Sequence, residues 1–209
     1  MDLKFSVTAS GKTDAELLNT LDNREKYLPE TIEATVDELK HRGHEFSDEM
    51  LKVISEDVQA HRENASAGGR RLGNYKNNIV QDPDAPLFYS RPVIYIFSFL
   101  FSTLFGSIMM AMNINRTDNP ARMVWVVLFG AVYTGMIIVI ASAIPGLGSA
   151  GIIFSIIGAW IMESFFWDRY LGNATFYRAR NIWVPLIIGL GISGIYITLY
   201  IIGMQAEGK

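Results

Sequence analysis

The sequence predicts an all-α fold: a four-helix transmembrane bundle preceded by a small soluble three-helix module and a flexible linker. Three observations predict it. Charge is split along the chain, with 11 basic and 17 acidic side chains in residues 1–90 against 7 and 4 in residues 91–209. The second part holds long uncharged apolar runs, and a hydrocarbon core about 30 Å thick needs about 20 helical residues to cross. The first part instead repeats apolar residues at helical spacing between capping residues. The average composition, 50% hydrophobic, decides nothing by itself, because a soluble domain is also about half apolar.

In residues 1–63 the elements follow from local signals. Thr13 opens T-x-x-E with Glu16, a capping box in which each side chain satisfies a backbone N–H of the first turn. Leu17, Leu18 and Leu21 form its apolar stripe, and Asn23 and Arg24 close it. Pro29 suits the first position of a second helix, where its missing N–H costs nothing. Glu30 and Glu33 sit near the positive end of that helix dipole, and Lys40, His41 and Arg42 near the negative end. Ile32, Val36 and Leu39 supply the stripe, and Gly43 is a natural stop. Ser47 caps a third helix with Leu51, Ile54 and Val58 inward and His61 and Arg62 at its end. Three narrow stripes make a small core, marginal for a module of this size. Two expectations follow: plain packing of three helices, or packing plus a protein partner bound through residues 13–63.

Residues 64–91 are rich in Gly, Asn and Pro, which predicts a flexible linker. Arg70, Arg71, Lys76 and Arg91 make it basic, suited to anionic headgroups of a lipid bilayer. Spans are expected at about 92–114, 123–144, 149–166 and 182–204, with Pro145-Gly146-Leu147-Gly148 dividing the middle pair. That count puts Trp125, Trp167 and Trp183, with Tyr170 and Tyr177, in one aromatic belt. It also leaves the basic residues evenly shared between the two sides. The N-terminus is then expected in the cytoplasm because a hydrophilic module is hard to export without a signal, and no apolar signal segment precedes it. A rival topology makes 149–166 re-entrant.

The chemistry is mostly excluded. There is no cysteine, hence no disulfide, thiolate metal site or cysteine nucleophile. The net charge of −3 and the acidic first part argue against nucleic acid. Past residue 91 there is no histidine, so neither metalloprotease nor serine-protease sets can be assembled there. His41 and His44 straddle Gly43 and read as helix-end cations rather than a metal site. Asn115-Arg116-Thr117 and Asn173-Ala174-Thr175 match the glycosylation sequon by letter only. Gly189-Leu190-Gly191-Ile192-Ser193-Gly194 matches G-x-G-x-x-G by letter, but it lies inside an apolar run without a preceding strand. Close helix packing is its expected role, with Gly191 and Gly194 lining one contact; Ser107/Ala111, Ala131/Gly135 and Gly151/Ser155 share the small-residue spacing. No cofactor is expected. Glu163 is the one acid within a span, and such acids are functional candidates. Lying about a turn from the span end, it is expected to pair with Arg122, Arg169 or Arg180, with ion or proton handling as the alternative.

The stretch Leu17–Gly43, with its N-R-x-x-Y-x-P-E core and closing E-L-x-x-R-G, resembles a helical module at the N-termini of an uncharacterised family of bacterial multi-span membrane proteins. The stretches FYSRPVIYIFSFLFSTLFGSIMMAMNIN and FWDRYLGNATFYRARNIWVPLIIG resemble the multi-span part of the same family. The resemblance implies a bacterial inner-membrane protein and no activity or catalytic residue. The function expected is therefore a non-enzymatic scaffold or regulatory subunit whose cytoplasmic module binds a partner. The alternative is a small transporter or channel subunit working as a homo-oligomer around Glu163.

Overall fold

The computed structural model describes residues 3–68, 78–117, 119–144, 150–172 and 176–207. They are mostly helical and divide into two compact units. The first comprises Met1–Phe88 with Gly172–Ala179, and the second Tyr89–Leu171 with Arg180–Lys209.

The first unit has four helices rather than three: α1 (Leu3–Ser10), α2 (Asp14–Asp22), α3 (Pro29–His41) and α4 (Asp48–Gly68). The expected stripes form its core, where Leu17, Leu21, Ile32, Val36, Leu39, Ile54 and Val58 are buried together with Ala9 of α1. The capping box closes as expected. Thr13 N–H donates to Glu16 Oε2 at 2.8 Å while Thr13 Oγ1 accepts from Glu16 N–H. The Thr13 N–H and the Thr13 hydroxyl, both donating to Glu16 Oε2, hold the Glu16 carboxyl below its ordinary pKa. Gly43 stops α3 with φ of 91°, in the left-handed region open to glycine.

The family-like motif consists of folding devices. Asn23 caps α2, Arg24 pairs with Asp57 of α4, Pro29 starts α3, and Glu30 meets Arg62 at 3.4 Å. Arg42 ties three segments together. It pairs with Glu38 and Asp14 at 2.7 Å each and donates to the carbonyls of Ser10 and Lys12. His44 meets Asp14 at 2.8 Å, so its imidazole is engaged by a carboxylate. That bond and the Arg42 guanidinium hold the Asp14 carboxyl below its ordinary pKa.

The expected linker at 64–91 is largely built into this unit. α4 continues to Gly68, and residues 69–77, with Arg70, Arg71 and Lys76, lie outside the described residues. From Asn78 the chain is packed: Val80, Asp82, Ala85 and Phe88 are buried. Strand β1 (Leu87–Phe88) pairs in parallel with β2 (Arg178–Ala179), extended by a bridge from Ile79 to Tyr177. The reason is Asp82. Leu28 is the N-cap of α3, and its own backbone N–H is taken up by the Asp82 carboxylate from 54 residues away. It accepts from Leu28 N–H at 3.1 Å and from the Thr31 hydroxyl, and its other oxygen accepts from Asp84 N–H.

The second unit contains α5 (Arg91–Leu100), α6 (Thr103–Ile114), α7 (Met123–Ala143), α8 (Ala150–Ile161), a π-helical turn (Met162–Trp167), α9 (Asp168–Tyr170) and α10 (Trp183–Glu207). Among the described residues two helices, not four, are long and apolar enough to cross a membrane: Pro120–Ala143 and Trp183–Gln205. The expected span at 92–114 is two antiparallel helices. They break at Phe101–Ser102, where Ser102 becomes the N-cap of α6 and accepts from Phe105 N–H at 3.1 Å. At 1.5 Å per residue, α5 and α6 are about 15 and 18 Å long, half a hydrocarbon core. Their outer ends are locked together. Tyr89 N–H donates to Asn113 Oδ1 at 2.9 Å, and Asn113 Nδ2 donates to Tyr89 O at 2.8 Å. Over the expected span at 149–166 the helix is not divided: α8 runs on into the π-helical turn after Ile161. The Pro145–Gly148 turn lies outside the described residues.

Replacing Asp82 by Ala strands the Leu28 N–H and Thr31 hydroxyl, a cost of about 1–3 kcal/mol. Hydrogen exchange in the first turn of α3 should accelerate accordingly, and less so in Asp82→Asn, which keeps one acceptor oxygen.

Candidate functional site

One end of the second unit collects nearly all of its polar chemistry. Arg91 opens α5 and is buried; its Nε lies 3.6 Å from Glu163 Oε1, and its guanidinium also pairs with Asp168. The same guanidinium stacks 5.4 Å from the centre of the Trp167 ring. The π-helical turn makes this set possible. An i→i+5 turn widens the helix locally, and Glu163 and Trp167 sit within it while Asp168 follows directly. Two carboxylates thus share one guanidinium across α5 and the π-helical turn. A buried charge of this kind is stable only while its partners are present.

Glu163 therefore pairs with Arg91, and not with the three arginines expected from sequence. Each of those rests on an aromatic ring instead: Arg122 on Tyr170 at 5.7 Å, Arg169 on Phe165 at 5.7 Å and Arg180 on Tyr89 at 4.8 Å. Cations stack on such rings because the ring face is electronegative. The aromatic belt is correspondingly smaller than expected. Trp125 and Trp183 are exposed, whereas Trp167 is buried beneath Arg91 and Tyr177 is buried in the first unit. Sequence reading missed Arg91, taken for a linker cation, and Asn113, a polar residue in an apolar run. The available signal was their type, since both have to be satisfied when buried.

Glycine contacts hold the hairpin in place. A Cβ on Gly106 would overlap the Ser98 hydroxyl, one on Gly130 the Ser107 side chain, and one on Gly158 that of Thr103. Ser98 and Ser107 donate back to the carbonyls of Ile94 and Leu104, so each hydroxyl is satisfied where it sits. Within one chain Gly191 and Gly194 line no close contact. A Cβ at either would meet nothing within 4 Å, whereas one on Gly189 would come within 2.7 Å of the Phe101 ring. Gly189 is about 200° from Gly191 around the helix, so only one of the two can face the hairpin.

No group of three or more His, Asp or Glu side chains able to hold a metal ion occurs among the described residues. No protein-family model matches the chain, and no curated protein or solved structure matches it.

The glycine geometry orders a set of substitutions. Gly130→Leu and Gly158→Leu should lower the detergent-solubilised melting temperature strongly, because helix packing has no room for the side chain. Gly191→Leu and Gly194→Leu should leave it unchanged. A smaller oligomer in either of the last two would instead show that face packing between copies.

Proposed function

We propose that the chain is an integral protein of the bacterial inner membrane, of the kind its sequence resembles, whose second unit anchors the first as a non-enzymatic recruitment or regulatory module. The observation that carries this is the division into a separate helical unit and a unit with two helices long and apolar enough to cross a membrane, and the topology turns on the Tyr89–Asn113 lock. It supports reading α5 and α6 as a re-entrant hairpin rather than a crossing. α7, the continuous helix from Ala150 to Tyr170, and α10 are then the three crossings. The start of α5, the end of α6, the start of α7, the end of α9 and the start of α10 then share one side.

This reading resolves the charge tie left by four spans. Arg70, Arg71, Lys76, Arg91, Arg116, Arg122, Arg169, Arg178 and Arg180 now fall on one side and Lys209 alone on the other. Positive residues near spans stay in the cytoplasm, so the N-terminal unit is cytoplasmic and the C-terminus is outside. The chain lacks cysteine, so single-cysteine labelling has no background. An impermeant maleimide should reach Glu45→Cys and Asn119→Cys from the same, cytoplasmic side and Lys209→Cys from the other. Labelling of Glu45→Cys and Asn119→Cys from opposite sides would restore 92–114 as a crossing.

A second reading, an ion-handling subunit, draws on the two carboxylates that share Arg91. Reconstituted into vesicles, the protein should pass no proton or cation flux above empty vesicles if it only recruits. Flux abolished by Glu163→Gln would replace the recruitment reading. Photo-crosslinking from the first unit of the full chain in cells should yield a discrete partner band; its absence from every exposed position tested would also end that reading.

A further inference from the structure

We infer that the open groove between α3 and α4 is the docking site of the first unit and that its occupant is a basic amphipathic protein segment; this rests on the recruitment reading above. Val36, Leu51, Ile54 and Val58 form an apolar floor, Phe5 of α1 contributes to the wall, and the space encloses about 590 Å³. From Leu51 to Arg62 the α4 wall is about 16 Å long at 1.5 Å per residue, enough for about three turns of a docked helix. The groove is open because α4 is an edge helix. It buries Ile54 and Val58 and leaves Met50 and Val53 exposed.

Charge selects the occupant. Glu30, Glu33 and Asp37 line the α3 side against Arg62 on the α4 side. Arg62 spans to Glu30 at 3.4 Å and Glu33 at 3.0 Å and so joins the two helices at one end of the groove. Asp37 carries no ion pair among the described residues. The field around the groove has the same sign, since residues 13–63 hold 14 acidic and 6 basic side chains. An apolar floor under an acidic rim fits a helix with apolar residues at i, i+3, i+4 and i+7 and Lys or Arg alongside. It does not fit an anionic lipid surface, which a net negative module is repelled from.

The test uses the full chain in nanodiscs of phosphatidylcholine, which carry no net charge to attract the probe. The probe is a fluorescein-labelled peptide of about 14 residues with Leu on one helical face and Lys on the other, and a second peptide replaces every Lys by Glu. Anisotropy should show the Lys peptide binding at least about tenfold tighter than the Glu peptide. Ser55→Trp, which places an indole over the groove from an exposed position, and Asp37→Lys should each weaken it by about tenfold. Circular dichroism of both variants checks that the helices persist. Equal binding of the two peptides, or full binding to a well-folded Ser55→Trp protein, overturns the groove assignment. The cellular crosslink separates the two levels. A partner band that survives Ser55→Trp and Asp37→Lys ends the groove assignment and keeps recruitment, whereas loss of the band in both supports it.

Discussion

Hydroxyl side chains seated on bare glycines are the constraint on which the second unit depends. In a lipid environment helices gain nothing from hiding apolar surface from one another, so close packing has to hold them. Ser98 on Gly106 closes the hairpin on itself, Ser107 on Gly130 fastens it to α7, and Thr103 on Gly158 fastens it to α8. The three contacts fix how far α5 and α6 penetrate the bundle. The Tyr89–Asn113 bonds fix where they start and finish. A hairpin held at tip and base can then carry Arg91 at its mouth, where the π-helical turn brings Glu163 and Asp168 to meet it.

The parts legible in the sequence are those whose cause is local. The capping box at Thr13 and Glu16, Pro29 at the start of α3, Gly43 at its end and the apolar stripes of α2, α3 and α4 all depend on residues within one or two turns. Helical class and the presence of apolar helices in the second half were legible for the same reason. The cap of α3 was not, because its acceptor comes from Asp82, in a stretch whose Pro and Asp content reads as loop. That segment is indeed without regular structure, but a fully buried carboxylate holds it as firmly as a strand would.

The hairpin was illegible for a different reason. Its turn is Phe101-Ser102 inside FSFLFSTLFG, with no proline or glycine at the break. An uncharged run of span length satisfies the length rule whether it crosses once or dips and returns. The pairing of Asn113 with Tyr89 and the seating of Ser98 on Gly106 separate the two, and no periodicity encodes either. The same error misplaced the partner of Glu163. With four crossings, Arg91 belongs to the opposite face, so the nearest arginines in sequence look like the only candidates. For Gly191 and Gly194 the spacing rule does not say which face of α10 meets a neighbour, and within one chain that face is the one bearing Gly189.

Charge is ordered oppositely in the two parts of the chain. Around the second unit, cations gather at one end, and three of them rest on aromatic rings. Arginine suits that place because its flat guanidinium stacks on a ring while its edge stays available to phosphate or water. In residues 13–63 the sign is reversed, with acids in more than twofold excess over bases. An anionic leaflet attracts the first set and repels the second. Under the membrane anchoring proposed above, such a leaflet would hold the cations of the second unit at the headgroup layer. A basic segment of the kind proposed for the α3–α4 groove would be drawn toward the same leaflet, which would raise its local concentration.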